Sequence, residues 1–403
     1  MSRPLPLDGV RIIAVEQYGA GPYGTLYLAQ LGAQVIKIEP PGAGDISRIT
    51  GPHFLGDGDS QFFQTFNQNK KSLALNLKSD SGREILHRLV EKADAVSNNL
   101  RGDQPAKLGI DYAGLGPVNP KIICAHLSAY GRGSERADWP GYDYLMQAEA
   151  GFMHLTGEPG TPPARFGLSM VDFMTGAVCS LGLLAGLLRV SRGGDGGDID
   201  VSLFDVALHQ LSYPATWYLN GGHVTERLSR SAHPATVPCQ LYTSADGWLF
   251  VMAMTPKFWD ALLEVLGCEA LGRDPRFADV AARREHREAL TEILDGEFAR
   301  APTADWVERL SGRVPVAPIY DLPRALDNPW LEANRSITEF AHPERQSPLR
   351  ALANPLRIDG ARLDACAASA LGADTAELLA ELGYSDGEID DLAAAGVIGA
   401  RGA

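Results

Sequence analysis

Short apolar runs separated by helix-length segments set the pattern of the first half of this chain. Val10–Val15, Val35–Glu39, Leu73–Leu77, Ala93–Val96, Lys121–Ser128 and Asp198–Leu203 are brief, largely apolar stretches set between turn residues, which predicts buried strands. Between them lie a helix ending at Leu31, an amphipathic one over Ser81–Lys92, one running to Gly151, and an apolar one over Phe173–Leu188. Alternation of this kind predicts βαβ units and a parallel sheet. The Phe173–Leu188 run carries no charge and is apolar on every face, so it reads as a buried core helix; it is short for a membrane span. Gly176, Gly182 and Gly186 let neighbouring backbone come close, and Gly193-Gly194 stops the helix.

The texture changes after residue 230. Gln240–Thr243 and Trp248–Ala253 flank Ser244-Ala-Asp-Gly, a hairpin signal, and amphipathic helices follow over Phe258–Leu266, Arg283–Phe298 and Ala304–Leu310. Residues 230–325 therefore read as a separate small α+β domain after a first large part at 1–225. Residues 326–403 read as an extended connector and a helical tail.

Composition narrows the class. The chain has 403 residues, more than one ordinary core holds, with 45% hydrophobic and 21% charged residues. A net charge of −14 argues against nucleic acid as a partner. The five cysteines show no CxxC pair, which fits a reduced, cytoplasmic protein without a zinc site or disulfide framework. The first residues, MSRPLPLDGVRII, lack an apolar signal segment.

Candidate chemistry centres on Asp172, the acid at the head of the apolar run. It has two readings: a helix N-cap, or a carboxylate kept ionised by the helix N-terminus and able to attack an activated carbonyl such as a thioester. Spacing alone does not choose. A rival signal is Gly19-Ala-Gly-Pro-Tyr-Gly24 between a strand and a helix, with Glu39 about 20 residues on, which approaches the dinucleotide fingerprint. Pro22 removes an N–H from the turn that would cradle pyrophosphate. Lys70 and Lys71 read either as solvated turn residues or as cations for phosphates. Asn98–Arg101 follows a predicted parallel strand, where doubly wound sheets bind ligands.

Three stretches resemble the class III coenzyme A transferases: the opening through Pro41-Gly-Ala-Gly-Asp45, Asn69-Lys-Lys-Ser72, and Gly167-Leu-Ser-Met-Val-Asp172 on to Leu203-Phe-Asp205. The resemblance covers essentially the whole chain. It implies a Rossmann-like large domain built from both chain ends plus the small domain, in two ring-like monomers interlocked as a homodimer. It makes Asp172 the nucleophile. It implies coenzyme A contacts from Gln17, Gly19, Ala20, Leu75, Asn76, Leu77, Lys78, Asn99, Leu100, Arg101, Lys107, Tyr142 and Asp143, with the glycine turn meeting coenzyme A rather than NAD. No metal or permanently bound cofactor is implied; acyl-CoA thioesters and small carboxylic acids are the substrates, and neither nucleic acid nor membrane is a partner. The activity implied is transfer of coenzyme A through an aspartyl anhydride and an aspartyl-CoA thioester. The racemase branch of the family is one alternative, but it carries His where this chain has Tyr142. A non-catalytic acyl-CoA binding protein is the other. The mobile glycine run of formyl-CoA transferase has no counterpart here.

Overall fold

The computed structural model describes residues 4–399. The chain divides into two compact units: one takes in residues through Ala150, Phe166–Ser212 and from Trp330 on, and the other Gly151–Arg165 with Tyr213–Pro329. The second unit thus extends past the 230–325 span marked in the sequence.

The first unit holds a six-stranded sheet of β1 (Arg11–Val15), β2 (Gln34–Glu39), β3 (Lys70–Ala74), β4 (Ala95–Asn98), β5 (Ile123–Ser128) and β6 (Gly197–Ser202). Every adjacent pair is parallel, in the order β3-β2-β1-β4-β5-β6. This is the order of doubly wound nucleotide-binding sheets, whose switch point lies between β1 and β4. Strands β1 to β5 are buried on both faces, as their apolar runs require. Two boundaries differ from expectation. Strand β3 begins at Lys70, so that lysine lies in the sheet instead of a polar turn. Leu203-Phe-Asp205 starts a helix, because Ser202 caps it by accepting from the Asp205 N–H.

Helices α1 (Ala20–Gln30), α2 (Asp80–Val90), α3 (Gln104–Leu108), α4 (Asp143–Glu149), α5 (Met170–Ser191) and α6 (Leu203–Gln210) follow in chain order. Helix α5 is longer than its apolar run, at 22 residues, and with a mean hydropathy of 1.8 it is long and apolar enough to cross a membrane. In the first unit it packs on α1 and the β5–β6 edge instead. Cβ atoms at Gly182 and Gly186 would stand 2.9 Å and 2.8 Å from Ile199 and Ile123 side-chain carbons, so both glycines let α5 settle onto these strands. The expectation of burial on every face is corrected: Val178, Leu181 and Leu188 remain exposed.

The tail returns to this unit. Helices Thr375–Glu381 and Asp386–Ala394 pack on the core, and Ile398 forms an antiparallel bridge with Leu75. The expected connector instead contains the hairpin Ile337–Phe340 with Leu349–Leu352. In the second unit, Cys239–Thr243 and Trp248–Met252 form the hairpin around Ser244–Gly247, joined by Val316–Pro318 and packed on amphipathic helices through Trp259, Leu263, Leu294 and Phe298.

Candidate active site

Two adjoining cavities open at the carboxyl ends of β1 and β4. One, about 310 Å³, is lined by Gln17, Gly19, Ala20, Asn99, Leu100, Arg101, Tyr142 and Asp172 among others. The second, about 540 Å³, is lined by Leu75, Asn76, Leu77, Lys78 and Gly396, and shares Gln17, Leu100 and Gln104 with the first. Of the thirteen coenzyme contacts implied by the resemblance, Lys107 and Asp143 alone lie outside both linings. Lys107 points its ammonium to Asp103 at 2.5 Å on an exposed face of α3. Asp143 is buried behind the first cavity and touches Asp172 instead.

Asp172 sits in the first turn of α5, two residues inside its start at Met170, so it is not the N-cap; Ser169 holds that position. Its own N–H donates to Asp143 Oδ2 at 3.0 Å. Asp143 is the first residue of α4, and its other oxygen accepts from the buried Gln147 Nε2 at 2.6 Å. Gln147 also bonds the Leu168 carbonyl and the Phe166 N–H, which fixes the strap leading into α5. The sequence reading expected the helix end to keep Asp172 ionised. The structure corrects this: burial first, then the like charge of Asp143, push its carboxyl up to about 7.

The glycine turn is explained sterically. A Cβ at Gly19 would stand 3.0 Å from Asp172 Oδ2, so this glycine makes room for the carboxylate. A Cβ at Gly21 would meet the Asn99 side chain at 3.0 Å. Cβ atoms at Gly24 and Gly176 would strike the carbonyls of Gly176 and Ala20 at 2.6 Å and 2.5 Å, so the pair lets α1 and α5 touch backbone to backbone. Glu39, the would-be ribose acid, is buried in a two-pronged bond with Arg48 at 2.7 and 2.8 Å and also accepts from Ser72 Oγ at 2.6 Å. Burial opposes its ionisation, but Arg48, Lys37 and Ser72 hold its carboxyl below the usual range. It has no face left for a ribose hydroxyl.

The two lysines that open β3 are likewise engaged. Lys70 is buried against Glu16 Oε1 and the Pro22 carbonyl, each at 2.8 Å, and burial drives its pKa down to about 8. Lys71 pairs with Glu377 of the tail. Neither lysine appears among the residues lining the cavities, where Arg101 and Lys78 supply the positive charge. Gln104 and Gly396 line the walls without having been singled out in the sequence. Gln104 lies one turn beyond Arg101, a spacing that hints at it; no local signal marks Gly396, whose place depends on the tail's return.

The sequence profile of CoA-transferase family III matches residues 7–375. Acetyl-CoA:oxalate CoA-transferase of Acetobacter aceti is 33% identical over 357 residues, 88% of this chain and 90% of its own length. Succinate–glutarate CoA-transferase of Agrobacterium fabrum is 32% identical over 393 residues, 94% of this chain and 96% of its own. The crystal structure of a CAIB/BAIF family protein from Brucella suis superposes with a TM-score of 0.81 at 30% identity, covering 94% of this chain and all of that one. The parallel sheet, the placement of Asp172 beside its switch point and a family match over residues 7–375 lead to one assignment: this chain is a member of CoA-transferase family III.

Proposed function

We propose that this enzyme moves coenzyme A from an acyl-CoA donor to a small dicarboxylic acid, with Asp172 as covalent nucleophile. One observation carries the reading: the Asp172 carboxylate stands over Gly19 in a half-buried pocket that opens into the two-part cavity. The ionised carboxylate attacks the donor thioester carbonyl, and the carbon–sulfur bond breaks to release thiolate and leave a mixed anhydride on Asp172. The thiolate attacks the aspartyl carbonyl of the anhydride, freeing the donor acid and forming an aspartyl-CoA thioester. The acceptor carboxylate attacks that thioester, regenerating thiolate and a second anhydride. The thiolate then takes the acceptor acyl group and returns Asp172 to its starting form. Burial limits hydrolysis of the anhydrides.

Leu75, Asn76, Leu77, Lys78, Gln17, Gly19, Ala20, Leu100, Arg101 and Tyr142 form the coenzyme wall in this reading, Arg101 and Lys78 facing phosphates; Lys107 is left out by its position. The dicarboxylate acceptor is taken from relatives named for oxalate and glutarate. Transfer is favoured over racemisation because inversion at an α-carbon needs a second acid–base group on the opposite face. Tyr142 holds the position before Asp143, and both ring nitrogens of His126 are engaged, with Asn98 at 2.8 Å and Asp198 at 2.9 Å. The enzyme works as a cytoplasmic homodimer in this account: the exposed apolar residues Val178, Leu181 and Leu188 on α5 support a covering partner, and five unpaired cysteines fit a reducing compartment. Incubation with acetyl-CoA or succinyl-CoA and a panel of mono- and dicarboxylates, read by mass spectrometry, tests the function. New CoA thioesters of dicarboxylates are expected. Deuterium uptake at the α-carbon of a chiral 2-methylacyl-CoA, with no transfer to any acid, would select the racemase instead.

A further inference from the structure

The turn Gln17-Tyr18-Gly19 carries a strained residue. Tyr18 has φ +68°, a left-handed conformation that non-glycine residues seldom adopt outside sites where the surroundings enforce it. The enforcing contacts come from two other loops. The Gln17 N–H donates to Asn99 Oδ1 at 2.9 Å, and Asn99 Nδ2 donates to the Gln17 carbonyl at 2.7 Å, so one side-chain amide grips both backbone groups of one residue across the switch point. The Tyr18 N–H donates to the Asp45 carboxylate at 3.1 and 3.2 Å. Asp45 is in turn fixed by the Lys37 ammonium and the Ser47 N–H, both at 2.8 Å, and is buried. The outcome of this clamping is visible on either side. Gln17 is exposed, and its own side-chain amide has no hydrogen-bond partner among the described residues, while Gly19 is pressed to within a Cβ's reach of the Asp172 carboxylate.

We infer that Asn99 and Asp45 are positioning residues: together they hold the strained Gln17–Gly19 turn at the distance from Asp172 that the acyl transfer requires. For Asn99 this replaces a direct coenzyme contact, since its side-chain amide is already engaged on Gln17. The inference rests on the proposed role of Asp172. A small misplacement of a group beside the reacting atoms lowers turnover more than binding. Asn99→Ala should therefore reduce kcat by about tenfold to a hundredfold with KM for acyl-CoA changed by less than about threefold. Glycine adopts positive φ without strain, so a Tyr18→Gly background needs the clamp less.

The test is a cycle of wild type, Asn99→Ala, Tyr18→Gly and the double variant, assayed for kcat and KM, beside amide hydrogen exchange on the wild-type protein. The Asn99→Ala loss should shrink at least about threefold in the Tyr18→Gly background, and the Gln17 and Tyr18 amides should exchange slowly in wild type. An equal loss in both backgrounds, a loss confined to KM, or fast exchange at these two amides would overturn the assignment. The exchange measurement reads the clamp without any variant or substrate. Absence of transfer in wild type beside slow exchange would count against the function and leave the clamp standing.

Discussion

Asp172 meets two opposed demands at neutral pH. In the proposed mechanism it must be ionised to attack, yet burial and the Asp143 charge hold its carboxyl up to about 7 in the free enzyme. For the first half-reaction, kcat/KM should rise about tenfold per pH unit on the acid side and level above about 7, because the protonated acid is inert. Asp143→Asn removes the neighbouring charge and should move that acid limb to lower pH, read from the pH profile of donor-acid release; a limb left in place would assign the shift to burial alone. The same shift bears on stability. Asp172 binds its proton more tightly folded than unfolded, so its favourable contribution is complete below its unfolded value, near pH 4, and is lost as pH rises through about 7. Asp172→Asn, a neutral isostere, should abolish transfer and yet melt a few degrees above wild type at pH 8, with the gap closing toward pH 4; on the order of 1–2 kcal/mol is expected after allowing for the group's partial contact with solvent. A lower melting point at pH 8 would show that the carboxylate stabilises the fold.

At the scale of elements, the contact of α1 with α5 joins the glycine turn to Asp172, the proposed nucleophile. Gly176→Val would drive a side chain into the Ala20 carbonyl, which a Cβ at this position would already approach to 2.5 Å. Destabilisation of about 1–3 kcal/mol with a clear loss of activity is expected, measured by urea unfolding at unchanged m. Wild-type stability in that variant would mean that the helices separate freely. The strands and the long apolar helix were legible because buried parallel strands and a core helix write continuous apolar runs. The start of β3 was not, because Lys70 reads as polar in sequence and becomes a core residue only through Glu16, far away in the chain. Glu39 misled for the same reason: its partners Arg48 and Ser72 give no local signal. The glycines were legible as close approaches, but which backbone or carboxylate approached each was a tertiary fact. Asp172 was visible as the acid at a helix head, whereas its raised pKa depended on burial in the folded chain and then on the charge of Asp143, which the sequence places 29 positions earlier.

Across the whole molecule, the chain's far end completes the second cavity. The Asn76 N–H donates to the Val397 carbonyl at 2.8 Å, Leu75 bridges to Ile398, and Gly396 lines the wall. Removal of the residues after Ala394 should weaken coenzyme A binding, read by calorimetry, and lower stability, since Val397 and Ile398 are core residues. Unchanged affinity would place the coenzyme away from this wall. The full chain should bind coenzyme A and neither NAD nor NADH at comparable concentrations, because Glu39 is committed to Arg48 and the glycine turn to Asp172, Asn99 and α5. Tight nicotinamide binding would contradict that steric account.

Covalent trapping tests the central claim most directly. Wild-type enzyme is mixed with an acyl-CoA donor, quenched with hydroxylamine, digested and read by mass spectrometry. The account predicts a hydroxamate on the Asp172 side chain, formed only when donor is present and absent from Asp172→Asn. Efficient transfer with no adduct at Asp172, or near-normal turnover in Asp172→Ala, would contradict it.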